Sequence, residues 1–443
     1  MPAIIRQTMG RNLARDLLAE ITESSNEYYI GIGKSDAFNE EDTVITPTDS
    51  ILEETEFRRN LQSIKKVEGA TFVVKRYNWS SGSLYSGWDD AVGSDTQYPY
   101  YVLNDAKELY ICLETGLAQD GSSNVSTIEP NYGALNVDYT QPFRTGDGYV
   151  WKFLFSLTPE RIYSYLSSNY IPVDQAQDSL AGGDAIEDLQ FMVKDTAIGG
   201  EIIRADIVNG GSGFTTAPTI TVLGDGFDAQ ATAYITDGVI TKIEMTDYGY
   251  DYTYATLRVE GDGVDAQLRS VITSSDGIGF DPINDLRTSS ILMNIKPNGT
   301  EDDTFIVENS FRQIGVIKNP LTPALIGFTG TSAKVLPSLT LTASSPFEVG
   351  KKIVGAQSNA VAYVNESVGD VVYYHQNEST GMIPFLDGEA LAQEGVVLTG
   401  TIDSQSKKNG IDRSTGDVLY IENRHRIRRD AEQQEDIKVV IEV

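Results

Sequence analysis

The side chains able to do acid–base or nucleophilic chemistry are few. Two histidines, His375 and His425, and one cysteine, Cys112, stand in a chain of 443 residues. A Ser-His-Asp or Cys-His apparatus would have to be built on one of those histidines. His375 follows Tyr373-Tyr374, and His425 stands among arginines, so neither is placed as a base should be. Cys112 sits in Leu109-Tyr110-Ile111-Cys112-Leu113 and reads as a small buried hydrophobe of a strand. Gly33-Lys34-Ser35 has the ending of a phosphate loop, but Tyr28 stands where its first glycine is required. His-Glu-x-x-His, G-x-S-x-G and the dinucleotide fingerprint are absent from the sequence. With 64 acidic residues a glycosidase-like carboxylate pair cannot be picked out, so no catalytic residue and no cofactor is assigned.

One set of acids has a pattern. Gly224-Asp225-Gly226-Phe227-Asp228-Ala229-Gln230 recurs as Gly261-Asp262-Gly263-Val264-Asp265-Ala266-Gln267. Upstream, Asn209-Gly210-Gly211-Ser212-Gly213-Phe214 answers to Asp247-Tyr248-Gly249-Tyr250-Asp251-Tyr252. Asp225, Asp228, Asp262 and Asp265 offer calcium-type oxygen ligands, whereas Gly-Asp-Gly is first of all a turn and the tandem spacing of calcium β-rolls is missing. Two copies make a small β module and not a solenoid, which needs at least three.

The elements that must position such groups read mainly as strands. Gly146-Asp147-Gly148 turns into an alternation that places Tyr149, Trp151, Phe153 and Phe155 on one face and Val150, Lys152 and Leu154 on the other. Four aromatics would bury roughly 150–250 Å² each, which makes this the structural core strand. Leu13, Leu17, Leu18 and Ile21 have helical spacing, and Thr48-Asp49-Ser50 caps a second helical stretch between Pro47 and Lys66. Strands are expected at Tyr28 to Gly33, Ala70 to Tyr77, Ile291 to Lys296, Phe311 to Leu321 and Ile437 to Val443. The fold class is mainly β with some α: a β-sandwich core, smaller α/β parts and two inserted small β modules. The expected division is 1–198, first part of the core; 199–275, the module with the repeat; 276–328, second part of the core; 329–408, a second inserted module; and 409–443, the C-terminal part of the core.

The net charge of −30 opposes polyanionic partners, because nucleic-acid binding needs a dense basic face. The one basic cluster, Arg424-His425-Arg426-Ile427-Arg428-Arg429, is followed by Asp430, Glu432, Glu435 and Asp436, so it answers carboxylates on its own surface or on a neighbouring subunit. No apolar run approaches the roughly 18 residues that cross a bilayer, and Met1-Pro2-Ala3-Ile4-Ile5-Arg6 lacks the apolar stretch of a signal peptide. Between Asn78 and Tyr101 the chain is crowded with rings. Trp79, Trp88, Tyr98 and Tyr100 are the candidate interface anchors, joined by Arg424 and Arg426; a sugar platform would use the same ring types.

Three motifs then occur in order: Gly146-Asp147-Gly148-Tyr149-Val150-Trp151, Phe311-Arg312-Gln313-Ile314 running to Asn319-Pro320-Leu321, and Tyr420-Ile421-Glu422-Asn423-Arg424. Together they resemble the baseplate wedge subunit of T-even-like contractile-tailed phages, the eighth gene product of that series. Gly33-Lys34-Ser35 followed by Pro47-Thr48-Asp49-Ser50, and Arg76-Tyr77-Asn78-Trp79 with Tyr98-Pro99, are weaker matches. The resemblance covers residues 1 to about 195, 276 to 328 and 409 to 443, and the two β blocks depart from it. It implies a non-enzymatic virion component of the tail baseplate, made and assembled in the host cytoplasm. Such a subunit is a homodimer, joins other wedge proteins in a sixfold assembly, and takes part in the rearrangement that triggers sheath contraction. A carbohydrate-binding or depolymerising tail protein and a neck or tail connector are the alternatives.

Overall fold

The computed structural model describes residues 6–92, 96–117, 122–175, 177–180, 185–393 and 396–443. The stretch from Met1 to Ile5, where the signal-peptide reading begins, lies outside them. Strands take up 40% and helices 13% of the chain, so the fold is mainly β with some α. Two compact units divide it: residues 1–14, 71–291 and 442–443 form the first, and residues 15–70 and 292–441 the second. Residues 199–275 fall in the first unit and 329–408 in the second, while the three stretches expected to form one core contribute to both.

The first unit is built on an antiparallel sheet in which Glu108–Glu114 lies beside Val150–Ser156, flanked by Tyr101–Leu103 and Phe143–Arg144. Tyr149, Trp151 and Phe153 are fully buried in a cluster with Tyr85, Tyr110, Cys112, Phe143 and Val193. Phe155 is equally buried but is not on that face. Tyr110 pairs with Phe153 and the adjacent Leu109 with Phe155, which leaves Leu154 as an extra residue. Cross-strand partners share a face, so this bulge turns Phe155 to the side of Leu109. The expected four-ring face is therefore three rings plus one on the reverse. The reverse face is covered too, for Val150, Lys152 and Leu154 are all buried. Helix Ala185–Asp195 packs Leu189 and Val193 onto the aromatic face. Residues 202–272 form six antiparallel strands around a core that includes Phe214, Ile243, Tyr252 and Leu257.

In the second unit an antiparallel sheet runs in the order Ser332–Lys334, Leu61–Lys66, Tyr28–Gly33, Ser310–Lys318, Asp417–Arg428. Alternation on its central strands sends Tyr28, Ile30, Ile32, Ile314 and Val316 to one cluster with Met293, Ile295, Ile437 and Val439. Tyr29, Leu61, Ile64 and Ile317 go to the other, with Phe57 and Val335. Helix Ile51–Asn60 supplies Phe57 and is capped by the Ser50 hydroxyl, which accepts from the Glu53 N–H at 3.2 Å. The helix passes straight into strand Leu61–Lys66, so the end of the expected helical stretch is extended. Gly31 faces Gly315 across the sheet, and a Cβ on Gly315 would come within 2.4 Å of the Phe57 ring. Gly31 likewise makes room for the Leu61 side chain and Gly33 for the Asn60 backbone, so the phosphate-loop-like Gly33-Lys34-Ser35 begins on the last residue of a wholly buried strand. Residues 338–406 add a closed six-stranded barrel filled by Leu339, Ile353, Val364, Tyr374, Phe385 and Ile402.

Candidate interaction site

The ring-rich loop is organised by backbone first. The Trp88 N–H donates to the Cys112 carbonyl at 2.7 Å and the Ser86 N–H to the Pro99 carbonyl at 3.0 Å, which lays the loop against the Glu108–Glu114 strand. Arg204, on strand Ile202–Ser212, donates from Nη1 to the carbonyls of Trp88 and Leu113, both at 2.8 Å. A Cβ on Gly87 would lie 2.3 Å from that nitrogen, so only glycine admits the guanidinium. Arg269 bridges Asp89 and Asp206, each at 2.6 Å, and reaches Asp90 at 2.7 Å. Burial pushes the Asp89 carboxyl up, but the Ala91 N–H and the charges of Arg269 and Arg204 outweigh it and hold the group below its ordinary range.

This packing divides the expected anchors. Tyr100 is 2% exposed and Trp88 9%, and the Arg287 guanidinium lies 5.6 Å and 5.1 Å from their ring centres. Their apolar area is spent inside the unit, which corrects the expectation that they face a partner. Trp79 is half-buried and donates its indole N–H to the Ser126 hydroxyl at 3.0 Å. Tyr98 is the exposed one, at 37%. It stands on the rim shared by two cavities, one of about 630 Å³ bordered by Tyr85, Asp89 and Arg204, the other of about 560 Å³ bordered by Tyr77, Tyr101, Tyr170 and Arg287.

In the second unit the basic cluster also divides. Arg429 is 1% exposed and pairs with Glu435 at 2.5 Å while donating to the Gly299 carbonyl at 2.8 Å. Arg424 pairs with Glu422 at 3.0 Å, and Arg428 pairs with Glu308. Arg426 donates from Nε to the Ser310 hydroxyl at 2.8 Å and has no carboxylate at ion-pair distance among the described residues. It borders a cavity of about 660 Å³ together with Ser35, Asp36, Arg312 and His375. There Asn365 Oδ1 lies 2.6 Å from His375 Nδ1, and Asp36 lies 3.2 Å from Nε2. Burial pushes the Asp36 carboxyl up, yet hydrogen bonds from His375 and Asn377 prevail and hold it at about 2. Both ring nitrogens are thereby engaged in cross-links. His425 is exposed on strand Asp417–Arg428.

The repeated aspartates have a different use. Asp225 accepts from the Thr253 N–H at 2.9 Å and from its hydroxyl, and Asp262 accepts from the Thr215 N–H at 3.2 Å and from its hydroxyl. Each copy of the repeat therefore caps a turn of the other copy. Asn209 and Asp247 each accept a 3.0 Å bond from the glycine two residues on, and Asp228 and Asp265 have φ of 66° and 65°. Tyr252 fills the space left by Gly226, and Phe214 that left by Gly263. Among the described residues no group of three or more His, Cys, Asp or Glu gathers as metal ligands.

Three buried charges in the first unit gave no signal beyond their composition. Lys152 is held below its ordinary range by burial, while Glu201 and Asp285 attract it. Burial raises the Asp285 carboxyl to about 7, although the Gly279 N–H donates to it at 2.7 Å and Lys152 opposes the rise. Burial also pushes the Cys112 thiol up, away from reactivity. No protein-family model matches the chain, and no curated protein matches it either. No helix among the described residues is long and apolar enough to cross a membrane.

Proposed function

We propose that the chain is a structural subunit of a contractile phage tail baseplate wedge, acting in baseplate assembly and in the rearrangement that triggers sheath contraction. The observation that carries this reading is where the three resembling motifs lie. Gly146 to Trp151 opens the aromatic strand of the first unit, and Phe311 to Pro320 supplies a central strand of the second. Tyr420 to Arg424 is its neighbour, where Val316 pairs with Tyr420 and the Gln313 amide donates to Asn423 at 2.9 Å. The likeness thus runs through residues that make the frame, and a shared frame is what a family likeness should preserve. The same reading assigns a homodimer, neighbours among other wedge proteins in a sixfold assembly, no catalytic step and no cofactor.

A carbohydrate-binding tail protein is supported by the exposed Tyr98, but the burial of Trp88 and Tyr100 takes two rings from such a platform. Light scattering on the purified chain tests the assembly part of the reading. A species of twice the chain mass at micromolar concentration is expected; a stable monomer there counts against it. Addition of host surface glycans is expected to give neither binding nor cleavage.

A further inference from the structure

The two halves of the 202–272 module share their caps, their left-handed aspartates and their ring-in-glycine cage, so where they differ the difference is not demanded by the fold. At the tip made by residues 223–228 and 247–254, Phe227 and Tyr250 exchange backbone hydrogen bonds of 3.0 and 3.1 Å. Their rings are held 5.5 Å apart at 34°, yet they remain 56% and 41% exposed. Tyr254, 63% exposed, follows the capped Thr253 on the same tip. The matching positions in the other half are Val264, Ser212 and Thr216, and Val264 pairs with Ser212 as Phe227 does with Tyr250. One half therefore keeps the turn without exposed rings; the other carries three rings in water. Clustered exposed apolar area of this kind marks an interaction surface.

Charge selects the partner. The two tip stretches contain Asp225, Asp228, Asp247 and Asp251 and no lysine or arginine. Asp225 and Asp247 are used as caps, whereas the carboxylates of Asp228 and Asp251 have no hydrogen-bond or ion-pair partner among the described residues, the Asp251 backbone N–H alone donating to the Gly199 carbonyl at 2.9 Å. Ring faces attract guanidinium and ammonium groups, and flanking carboxylates strengthen that attraction while repelling acidic chains and nucleic acid. We infer that this tip docks a basic segment of a protein partner, with an arginine or lysine side chain laid on Phe227, Tyr250 and Tyr254 and its charge answered by Asp228 and Asp251. The inference stands apart from the wedge reading, since it rests on the module alone.

The test is calorimetric titration of the full chain, at physiological ionic strength, with an arginine–glycine repeat peptide and with the same peptide carrying citrulline for arginine. The triple variant Phe227→Val, Tyr250→Ser, Tyr254→Thr gives this tip the residues of the other half. Binding of the arginine peptide to this variant is expected to be about 10-fold weaker, a loss in the range of one or two cation–π contacts. Asp228→Asn with Asp251→Asn keeps residues that accept a left-handed backbone, and it is expected to weaken binding as well. Alanine at Val264, Ser212 and Thr216 is expected to leave binding unchanged. The inference is overturned if the wild-type chain does not bind the arginine peptide, if the citrulline peptide or a neutral oligosaccharide binds as tightly, or if the triple variant melts like wild type and binds equally. Should the triple variant melt early, unchanged binding by the double Asn variant overturns it.

Discussion

Trp151 concentrates the packing of the first unit. Its side chain is fully buried, stacked at 17° on Tyr149 and edge-on to Tyr85. Trp151→Ala is expected to cost roughly 3–5 kcal/mol through the cavity it opens, read as a lowered denaturation midpoint, and to abolish assembly by unfolding without removing any site. Asp285 sets a pH dependence. Its carboxyl lies at about 7 in the fold and near 3.8 when unfolded, so the unfolded chain releases this proton first as pH rises. The contribution is fully present below 3.8 and is lost as pH passes through about 7. Urea unfolding across that interval should show falling stability, and Asp285→Asn should flatten the profile. The burial of Tyr149, Trp151 and Phe153 was legible from their spacing. That of Lys152, Glu201 and Asp285 was not, because each becomes interior only through contacts distant in sequence.

At the scale of elements, the internal repeat was readable but its geometry was not. Repetition of Gly-Asp-Gly implied a turn in each copy, whereas the exchange of caps between copies depends on how the strands close on one another. Gly226→Ala would bring a Cβ within 2.4 Å of the Tyr252 ring, and Gly263→Ala within 2.6 Å of the Phe214 ring. Each is expected to destabilise by roughly 1–3 kcal/mol, checked by thermal melting of the two variants side by side. Cap and strand signals were legible where they were local, as at Ser50 and in Glu108–Glu114. The bulge at Leu154 and the passage of helix into strand at Leu61 were not, since periodicity does not record an inserted residue or an abrupt change of ψ. Helix Ala185–Asp195 has its sequence signal in Ile186, Leu189 and Val193, at helical spacing.

For the whole molecule, composition and alternation carried the fold class, mainly β with some α, whereas the proposed function rests on the resemblance alone. The ring-rich loop shows the limit of composition: the same tryptophans and tyrosines that suit an interface also suit a core, and only burial tells Tyr98 from Tyr100. The division into units 1–14, 71–291, 442–443 and 15–70, 292–441 has no local mark either, because the chain passes between them inside runs that read as single elements. The proposal that this chain is a frame-building subunit of a baseplate wedge is tested most directly by electron cryomicroscopy of intact virions carrying the chain. The chain is predicted to lie in a sixfold ring at the tail end, in contact with other wedge proteins; density for it at a fibre tip or in the neck would contradict the claim.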